Sequence, residues 1–241
     1  MAEDSKNKRL EVILTNLCNQ QCTFCFTHSS QDGREFLRFE DFVRALEQGN
    51  YSEVSLYGGE PFFHPEFRRF YAHALNVVGD VEIVTNGSIV KIINGQNGDF
   101  GLGSSVERTK KEIAQYDNPR TTLALSINRE LMETNQSLIR ALVLYHSVEE
   151  ARLKYNVGYC KGDRDQLAEE VRSFFRNYGI NINPFQDVRP LVALGRGENL
   201  ISKLNRHIPN LRTIYDFLAP SGRIYLVSDQ LVKEMRSYVR T

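Results

Sequence analysis

The sequence has no apolar run that approaches the ~20 residues needed to span a bilayer, and its first nine residues are rich in charge. We therefore expect no membrane segment and no secretory signal, and we expect a cytoplasmic protein. It also lacks an excess charge of either sign, because 30 basic residues balance 30 acidic ones. Without a global basic field, we expect neither a nucleic-acid partner nor a membrane partner.

Cysteine is scarce, with four residues in a chain of 241. Cys18, Cys22 and Cys25 fall within eight residues, whereas Cys160 stands far from them. This distribution is a poor disulfide framework, and clustered thiols in a reducing compartment are more often metal ligands. With 41% hydrophobic residues and only 7 prolines and 16 glycines, the chain has an ordinary globular composition.

Strand and helix patterns alternate along most of the chain. The predicted strands cover residues 9–15, 53–57, 81–85, 121–126, 153–159 and 180–185. The predicted helices cover residues 38–48, 65–78, part of 106–115, 129–145 and 165–178. Six such alternations predict an α/β fold, and we expect a partial (β/α)6 TIM-like barrel because a complete eight-fold barrel takes ~250 residues.

The alternation fades after residue 190. We expect a core barrel over residues 1–197, followed by a short C-terminal appendage over residues 198–241 that is not an independent domain. The appendage is predicted to form a helix, a hairpin whose turn contains Gly222, and a second helix. Residues 94–105 hold four glycines and predict a loop, which is either a surface insertion or a lid over the active site.

The cysteine cluster follows the first predicted strand directly. The spacing Cys18-x3-Cys22-x2-Cys25 places three thiolates on one short loop and leaves one coordination position of a metal centre open. A structural zinc site would need a fourth ligand, such as His28 or Cys160. An iron–sulfur cluster can bind three irons through thiolates and keep the fourth iron open for a substrate. The spacing alone leaves both centres open.

Groups able to bind a polar ligand follow the next three strands. These are the segment from Tyr57 through Gly58, Gly59, Glu60 and Pro61, the segment Thr85-Asn86-Gly87, and Ser126. The carboxyl ends of parallel strands meet at one edge, which is where α/β folds bind ligands. Adjacent glycines let a ligand approach the backbone closely, and a glutamate can support an ammonium group.

The cysteine loop, the GGEP segment and the TNG segment, in this order after consecutive strands, resemble the radical S-adenosylmethionine (radical SAM) superfamily over residues 9–197. Residues 190–199 resemble the branch that modifies peptides and small metabolites. The resemblance implies one 4Fe–4S cluster bound by Cys18, Cys22 and Cys25. It also implies that the amino and carboxylate groups of S-adenosylmethionine chelate the fourth iron.

The same resemblance implies roles for further residues. Gly58, Gly59 and Glu60 are expected to hold the amino group of S-adenosylmethionine. The other expected cofactor contacts are Thr85 and Ser126 near the carboxylate or ribose, Asn86 beside Thr85, and Phe24 and Tyr57 near the adenine or sulfonium. Cys160 is either a hydrogen donor to a substrate radical or a small buried hydrophobe.

The activity implied by the resemblance is reductive cleavage of S-adenosylmethionine to a 5′-deoxyadenosyl radical, which abstracts hydrogen from a peptide or small-metabolite substrate. The electron would come from a low-potential donor such as flavodoxin or ferredoxin. Two alternatives stay open, namely a radical SAM enzyme of a nucleoside or nucleotide pathway and a zinc-binding structural module. We also expect Gly59→Val to weaken cofactor binding and to leave the iron content near normal.

Overall fold

The computed structural model describes residues 8–87 without 24 and 26, 113–134, 152–159, 164–177, 179, 181, 188–190 and 216–226. The described strands are β1 (Arg9–Ile13), β2 (Glu53–Tyr57), β3 (Asp80–Thr85), β4 (Thr121–Ile127), β5 (Arg152–Tyr159), β6 (Val188–Pro190), β7 (Asp216–Leu218) and β8 (Ile224–Leu226). The described α-helices are α1 (Phe39–Gln48), α2 (Phe67–Val77), α3 (Arg129–Thr134) and α4 (Arg164–Arg176). Short 3₁₀-helices cover Pro61–Phe63 and Ala114–Tyr116.

The chain divides into two compact units, Met1–Val84 with Val192–Thr241 and Thr85–Leu191. In the first unit the strand order is β3-β2-β1-β7-β8, and all neighbours are parallel except β7 and β8. In the second unit β4, β5 and β6 are parallel. The predicted parallel α/β organisation is confirmed. Closure of the strands into a barrel stays a prediction.

The hairpin predicted in the appendage is present, because Leu218 of β7 pairs with Ile224 of β8 in antiparallel register. Its turn contains Gly222, which has a φ of +80°. β7 also pairs with β1 in parallel, with Leu218 opposite Val12. The hairpin therefore extends the sheet of the first unit along the edge of β1. The proposed division at residue 197 stays a prediction.

The first two helices pack on each other through aromatic rings. Phe42 of α1 and Phe70 of α2 are fully buried, with ring centroids 5.1 Å apart. The buried positions of α2 are Phe67, Phe70, Tyr71 and Ala74, which is the spacing of one helical face. Strands β1 and β2 bury Leu10, Val12, Val54 and Leu56 as well.

Most element bounds agree with the sequence patterns within two residues, but the sixth strand does not. The pattern predicted it over residues 180–185, whereas the described strand is Val188–Pro190. Asn181 is in neither a helix nor a strand, and residues 182–187 lie outside the described residues. Four other predicted segments also lie outside the described residues: residues 94–105, most of the helix predicted within 106–115, residues 135–145 and the appendage helices. No helix within the described part of the chain has the length and apolar character to cross a membrane.

A buried ion-pair cluster links the first three strands. Arg9 of β1 contacts the carboxylates of Glu11 at 2.7 Å, Glu53 at 2.7 Å and Glu82 at 2.8 Å. The Arg9, Glu11 and Glu82 side chains are 11%, 8% and 3% exposed. Although burial lowers the pKa of Arg9, the three carboxylates more than offset this and raise it. Arg9 therefore stays charged and joins β1, β2 and β3.

Candidate functional site

The segment that follows β1 carries the cysteine loop and is hydrogen-bonded to the glycine segment after β2. Three backbone N–H groups donate across this contact: Leu14 to the Tyr57 carbonyl at 2.8 Å, Gly59 to the Thr15 carbonyl at 2.6 Å and Glu60 to the Leu17 carbonyl at 2.9 Å. Leu17 is the residue before the first cysteine. The two segments that the sequence singled out are therefore in contact within one unit.

The segment that follows β1 is also hydrogen-bonded to residues 35–37, and these contacts close the cysteine loop. The Leu37 N–H donates to the Leu14 carbonyl at 2.8 Å, and the Thr15 hydroxyl donates to the Glu35 carbonyl at 2.7 Å. The Asn16 side chain accepts a hydrogen bond from the Glu35 N–H at 3.0 Å. Thr15 and Asn16 are both buried. Sequence reasoning missed these two residues, although polar side chains that directly follow a buried strand could have indicated them.

Glycine is required at three positions because backbone atoms lie where a side chain would start. A Cβ on Gly59 would lie 2.2 Å from the Leu17 oxygen, and one on Gly58 would lie 2.5 Å from the Thr15 oxygen. A Cβ on Gly33 would lie 2.3 Å from the Asn16 oxygen. Gly58 also has a φ of +145°. The glycine pair thus serves the packing of the protein's own loop, a reason that the sequence did not indicate.

The three cysteines lie in a loop stabilised by local hydrogen bonds. The Cys18 N–H donates to the Ser30 carbonyl at 2.9 Å, and the Cys18 sulfur accepts a hydrogen bond from the Gln20 N–H at 3.4 Å. The Cys25 N–H donates to the Cys22 carbonyl at 3.2 Å, which forms a tight turn. Cys18 is buried, Cys22 and Cys25 are partly exposed, and none of these three is in a disulfide.

The environment of Cys18 fits a ligand of a positively charged centre. Burial raises the pKa of the Cys18 thiol, and the nearby charges of Glu60, Cys25 and Cys22 raise it further. A thiolate at this position is therefore disfavoured unless a cation, such as the iron of a cluster, compensates its charge. Glu60 is fully buried, and its N–H is hydrogen-bonded to Leu17, the residue before Cys18.

Within the residues that the structure describes, no three or more His, Cys, Asp or Glu side chains are arranged around one metal ion. A 4Fe–4S cluster binds each thiolate through a different iron, so its sulfur ligands surround the cluster instead of meeting at one point. Three soft thiolates on one loop, one of them buried, suit the cluster that the resemblance implies. The donor set therefore fits the group.

Two buried hydroxyl groups connect the third cysteine to the glycine segment. The Thr27 hydroxyl lies 3.2 Å from the Cys25 sulfur, 2.7 Å from the Ser29 hydroxyl and 3.4 Å from the Gly58 carbonyl oxygen. Thr27 and Ser29 are each 1% exposed. Sequence reasoning missed both residues.

The turn after the glycine segment is held by Glu60 and His64. The Glu60 carboxylate accepts a hydrogen bond of 3.5 Å from the Phe62 N–H and so caps the 3₁₀-helix Pro61–Phe63. The His64 ring accepts from the Glu66 N–H through Nδ1 at 3.1 Å and therefore donates through Nε2 to the Leu37 carbonyl at 3.0 Å. His64 is buried, and burial lowers its pKa. It was not expected to have a role.

The other predicted site residues lie outside the cysteine loop and the glycine segment, apart from Tyr57, which precedes Gly58, and Phe24. Tyr57 is buried at the end of β2. Thr85, Asn86 and Ser126 belong to the second unit, where the Thr85 hydroxyl accepts a hydrogen bond from the Gly87 N–H at 3.0 Å. Thr85 and Asn86 are buried and Ser126 is partly exposed. Phe24 and Cys160 lie outside the described residues. The cofactor roles of all these residues stay predictions.

The sequence profile of the Radical SAM superfamily matches residues 12–95. Two relatives carry the name GTP 3′,8-cyclase. The one from Methanocella arvoryzae, a probable cyclase, is 23% identical over 69% of this chain and 52% of its own length. The one from Aquifex aeolicus is 24% identical over 73% of this chain and 55% of its own length. The chain spans about half the length of these curated relatives.

Among solved structures, Streptococcus suis SuiB bound to precursor peptide SuiA resembles this chain with a TM-score of 0.53. The two are 16% identical, and the alignment covers 92% of this chain and 60% of SuiB. This likeness shows a shared fold. The superfamily match confirms the resemblance inferred from the cysteine, GGEP and TNG segments, and members of that superfamily are enzymes.

Proposed function

Because residues 12–95 match the profile of the Radical SAM superfamily, we propose that this protein is an enzyme that uses S-adenosylmethionine to abstract hydrogen from a peptide or small metabolite. The observation that supports this most strongly is the contact between the cysteine loop and the glycine segment, made by the hydrogen bonds from Gly59 and Glu60. The segment proposed to bind the cluster and the segment proposed to bind the amino group of the cofactor are thereby adjacent. That juxtaposition is what binding of one cofactor to one iron requires.

Each segment then has a defined part in the proposed site. Cys18, Cys22 and Cys25 would bind a 4Fe–4S cluster, which supplies one electron at low potential when bound. Glu60, which is buried and hydrogen-bonded through its N–H to Leu17, would accept hydrogen bonds from the ammonium of S-adenosylmethionine and orient it at the cluster. Burial keeps competing water away from this ion pair. We further propose that the enzyme acts in the cytoplasm and receives its electron from a flavodoxin or ferredoxin. The proposed additional cofactor contacts are Phe24, Tyr57, Thr85, Asn86 and Ser126.

The test is reconstitution of the protein with iron and sulfide in the absence of oxygen. We expect a brown protein whose reduced form has a 4Fe–4S electron paramagnetic resonance (EPR) signal, and we expect S-adenosylmethionine to perturb that signal. Cys18→Ala, Cys22→Ala and Cys25→Ala should each abolish the cluster. Cys160→Ala is the matched control and should keep it. A colourless protein with stoichiometric zinc would instead support the zinc-binding module.

A nucleotide substrate is the second candidate, and the two relatives named GTP 3′,8-cyclase favour it. The peptide named in the SuiB structure favours the first candidate. GTP separates them directly, because a bound substrate accelerates formation of 5′-deoxyadenosine over uncoupled cleavage. Acceleration by GTP, with the C3′ or C8 position altered in the product, would establish the nucleotide pathway. The same rate with and without GTP would remove GTP as the substrate.

A further inference from the structure

The Thr27 hydroxyl has three polar neighbours and only one hydrogen to donate. The neighbours are the Cys25 sulfur at 3.2 Å, the Ser29 hydroxyl at 2.7 Å and the Gly58 carbonyl oxygen at 3.4 Å. A ligated cysteine sulfur and a carbonyl oxygen only accept hydrogen bonds, whereas a serine hydroxyl can donate. Either hydroxyl can donate in the contact between Thr27 and Ser29. When Ser29 is the donor, the hydrogen of Thr27 is free to go to Cys25 or to Gly58.

The distances favour the sulfur as the acceptor. Sulfur is larger than oxygen, yet the contact of Thr27 with Cys25 is shorter than its contact with the Gly58 oxygen. A thiolate also carries a negative charge, and hydrogen bonds to charged acceptors are the stronger ones. The structure thus indicates a directed chain from Ser29 to Thr27 to Cys25.

The fold holds these hydrogen-bonded side chains in place. Thr27 and Ser29 are each 1% exposed, so bulk water does not compete for the hydroxyl groups. His28 between them has a φ of +52°, a left-handed conformation that turns the backbone at this point. The surrounding structure fixes the hydroxyl pair beside the third cysteine.

We propose that Thr27 is a positioning residue that tunes the cluster, because its hydroxyl donates a hydrogen bond to the Cys25 sulfur and thereby raises the reduction potential. This inference rests on the proposed function. Reduction adds one electron from a low-potential reductant and breaks no bond, and the added negative charge is shared by the cysteine sulfurs. A hydrogen bond to one of these sulfurs stabilises the reduced state more than the oxidised state.

The experiment compares Thr27→Val with Thr27→Ser in the reconstituted full-length protein. Valine has the shape of threonine without the hydroxyl, and serine keeps the hydroxyl. The measurement is a redox titration with dithionite in which the EPR signal of the reduced cluster is recorded. We expect Thr27→Val to lower the ratio of reduced to oxidised cluster roughly five-fold at a fixed potential, and Thr27→Ser to stay near the parent.

Two further variants complete the design. Thr122→Val makes the same chemical change on β4, in the other unit, and should leave the midpoint potential unchanged. Ser29→Ala removes the donor to Thr27 but keeps the Thr27 hydroxyl, and it should shift the potential in the negative direction by less than Thr27→Val. If Thr27→Val takes up no cluster, Thr27→Ala, which also lacks the hydroxyl, takes its place in the titration: a negative shift supports the proposal, and the parent value overturns it.

The role of Thr27 would also be overturned if Thr27→Val had the same midpoint potential as the parent, or if Thr27→Ser and Thr27→Val shifted the midpoint potential equally. Either result would leave the proposed function intact, because the parent would still bind a cluster and S-adenosylmethionine. Failure of the parent itself to take up a 4Fe–4S cluster would instead contradict the proposed function.

Discussion

Position 59 illustrates how one residue can be constrained by the protein's own backbone. The sequence favoured glycine there because a ligand could approach it, and it predicted Gly59→Val as a binding variant with normal iron content. The structure adds a nearer neighbour, since the Leu17 oxygen lies 2.2 Å from the place of a Cβ. Leu17 precedes Cys18, so a displacement at position 59 is transmitted to the first cysteine.

We therefore predict that Gly59→Ala destabilises the protein by roughly 2 kcal/mol or more, as overpacking against backbone does. The iron content after reconstitution should fall together with stability. Chemical denaturation and iron analysis of the same preparation measure both effects. Gly79→Ala is the matched control, because its Cβ would have the Ser52 oxygen at 3.3 Å as its nearest neighbour. Normal stability and iron content in Gly59→Ala would restore the earlier expectation.

The buried imidazole ring of His64 should make the stability of the protein depend on pH. Its pKa in the folded state is lowered by burial from the usual 6.5, so the folded protein holds the ring neutral at a pH where the unfolded chain protonates it. Stability from His64 is thus fully present above pH 6.5 and is lost as the pH falls through the lower folded pKa. Protonation of Nδ1 also removes the acceptor for the Glu66 N–H.

The measurement is the free energy of unfolding at about pH 7.5 and about pH 5, in the parent and in His64→Gln. Glutamine does not titrate, so this variant should lose less stability on acidification than the parent. An equal loss in the parent and in His64→Gln would show that other groups cause the acid sensitivity.

Among the strands, β1 is the element on which the first unit depends most. It pairs with β2 and β7, and it continues into the segment that holds the cysteine loop. Its Arg9 joins carboxylates on β1, β2 and β3 through three separate nitrogens. A guanidinium can make these three contacts at once, whereas an ammonium is a point charge.

Arg9→Met should cost about 3 kcal/mol or more of stability, because it leaves the buried Glu11 and Glu82 carboxylates without their cation. Urea denaturation of the parent and the variant at neutral pH measures the difference. The control is Arg176→Met, which removes an exposed contact of 3.9 Å with Glu169 and should change stability by about 0.5 kcal/mol or less. Equal effects of the two substitutions would contradict a structural role for the Arg9 cluster.

Local patterns were sufficient for elements whose buried faces follow a simple period. α2 was predicted from apolar and aromatic residues at helical spacing, and β2 as a short strand that ends before Gly58 and Gly59, and both occur where expected. The strand Val188–Pro190 could not be predicted in this way, because three residues are too short for a period and this strand is defined by its pairing with β5. Tertiary contacts decided that element.

The residues of the candidate site also fall into those that the sequence indicated and those that it did not. Cys18, Cys22, Cys25 and Glu60 were predicted, because their chemistry and spacing are visible along the chain. Thr15, Asn16, Thr27 and His64 were not. Thr15, Asn16 and His64 act through backbone groups that are distant in sequence, and the hydroxyl contacts of Thr27 depend on how the loop folds. Hydroxyl and imidazole groups are common in loops, and their partners become apparent only in three dimensions.

At the scale of the whole chain, the number of thiols limits the metal content. A second 4Fe–4S cluster calls for several more thiolates, and once three cysteines are committed only Cys160 remains of the four. The hairpin of β7 and β8 supplies no cysteine.

We predict that iron and sulfide reach a plateau of about four each per chain in the reconstituted protein. The triple variant Cys18→Ala, Cys22→Ala, Cys25→Ala should hold essentially none, because Cys160 alone cannot retain a cluster. Cys160→Ala controls for a contribution from that residue and should keep the parent value. A reproducible value near eight irons in the parent, or a residual cluster signal in the triple variant, would require ligands other than cysteine and would contradict a single cluster.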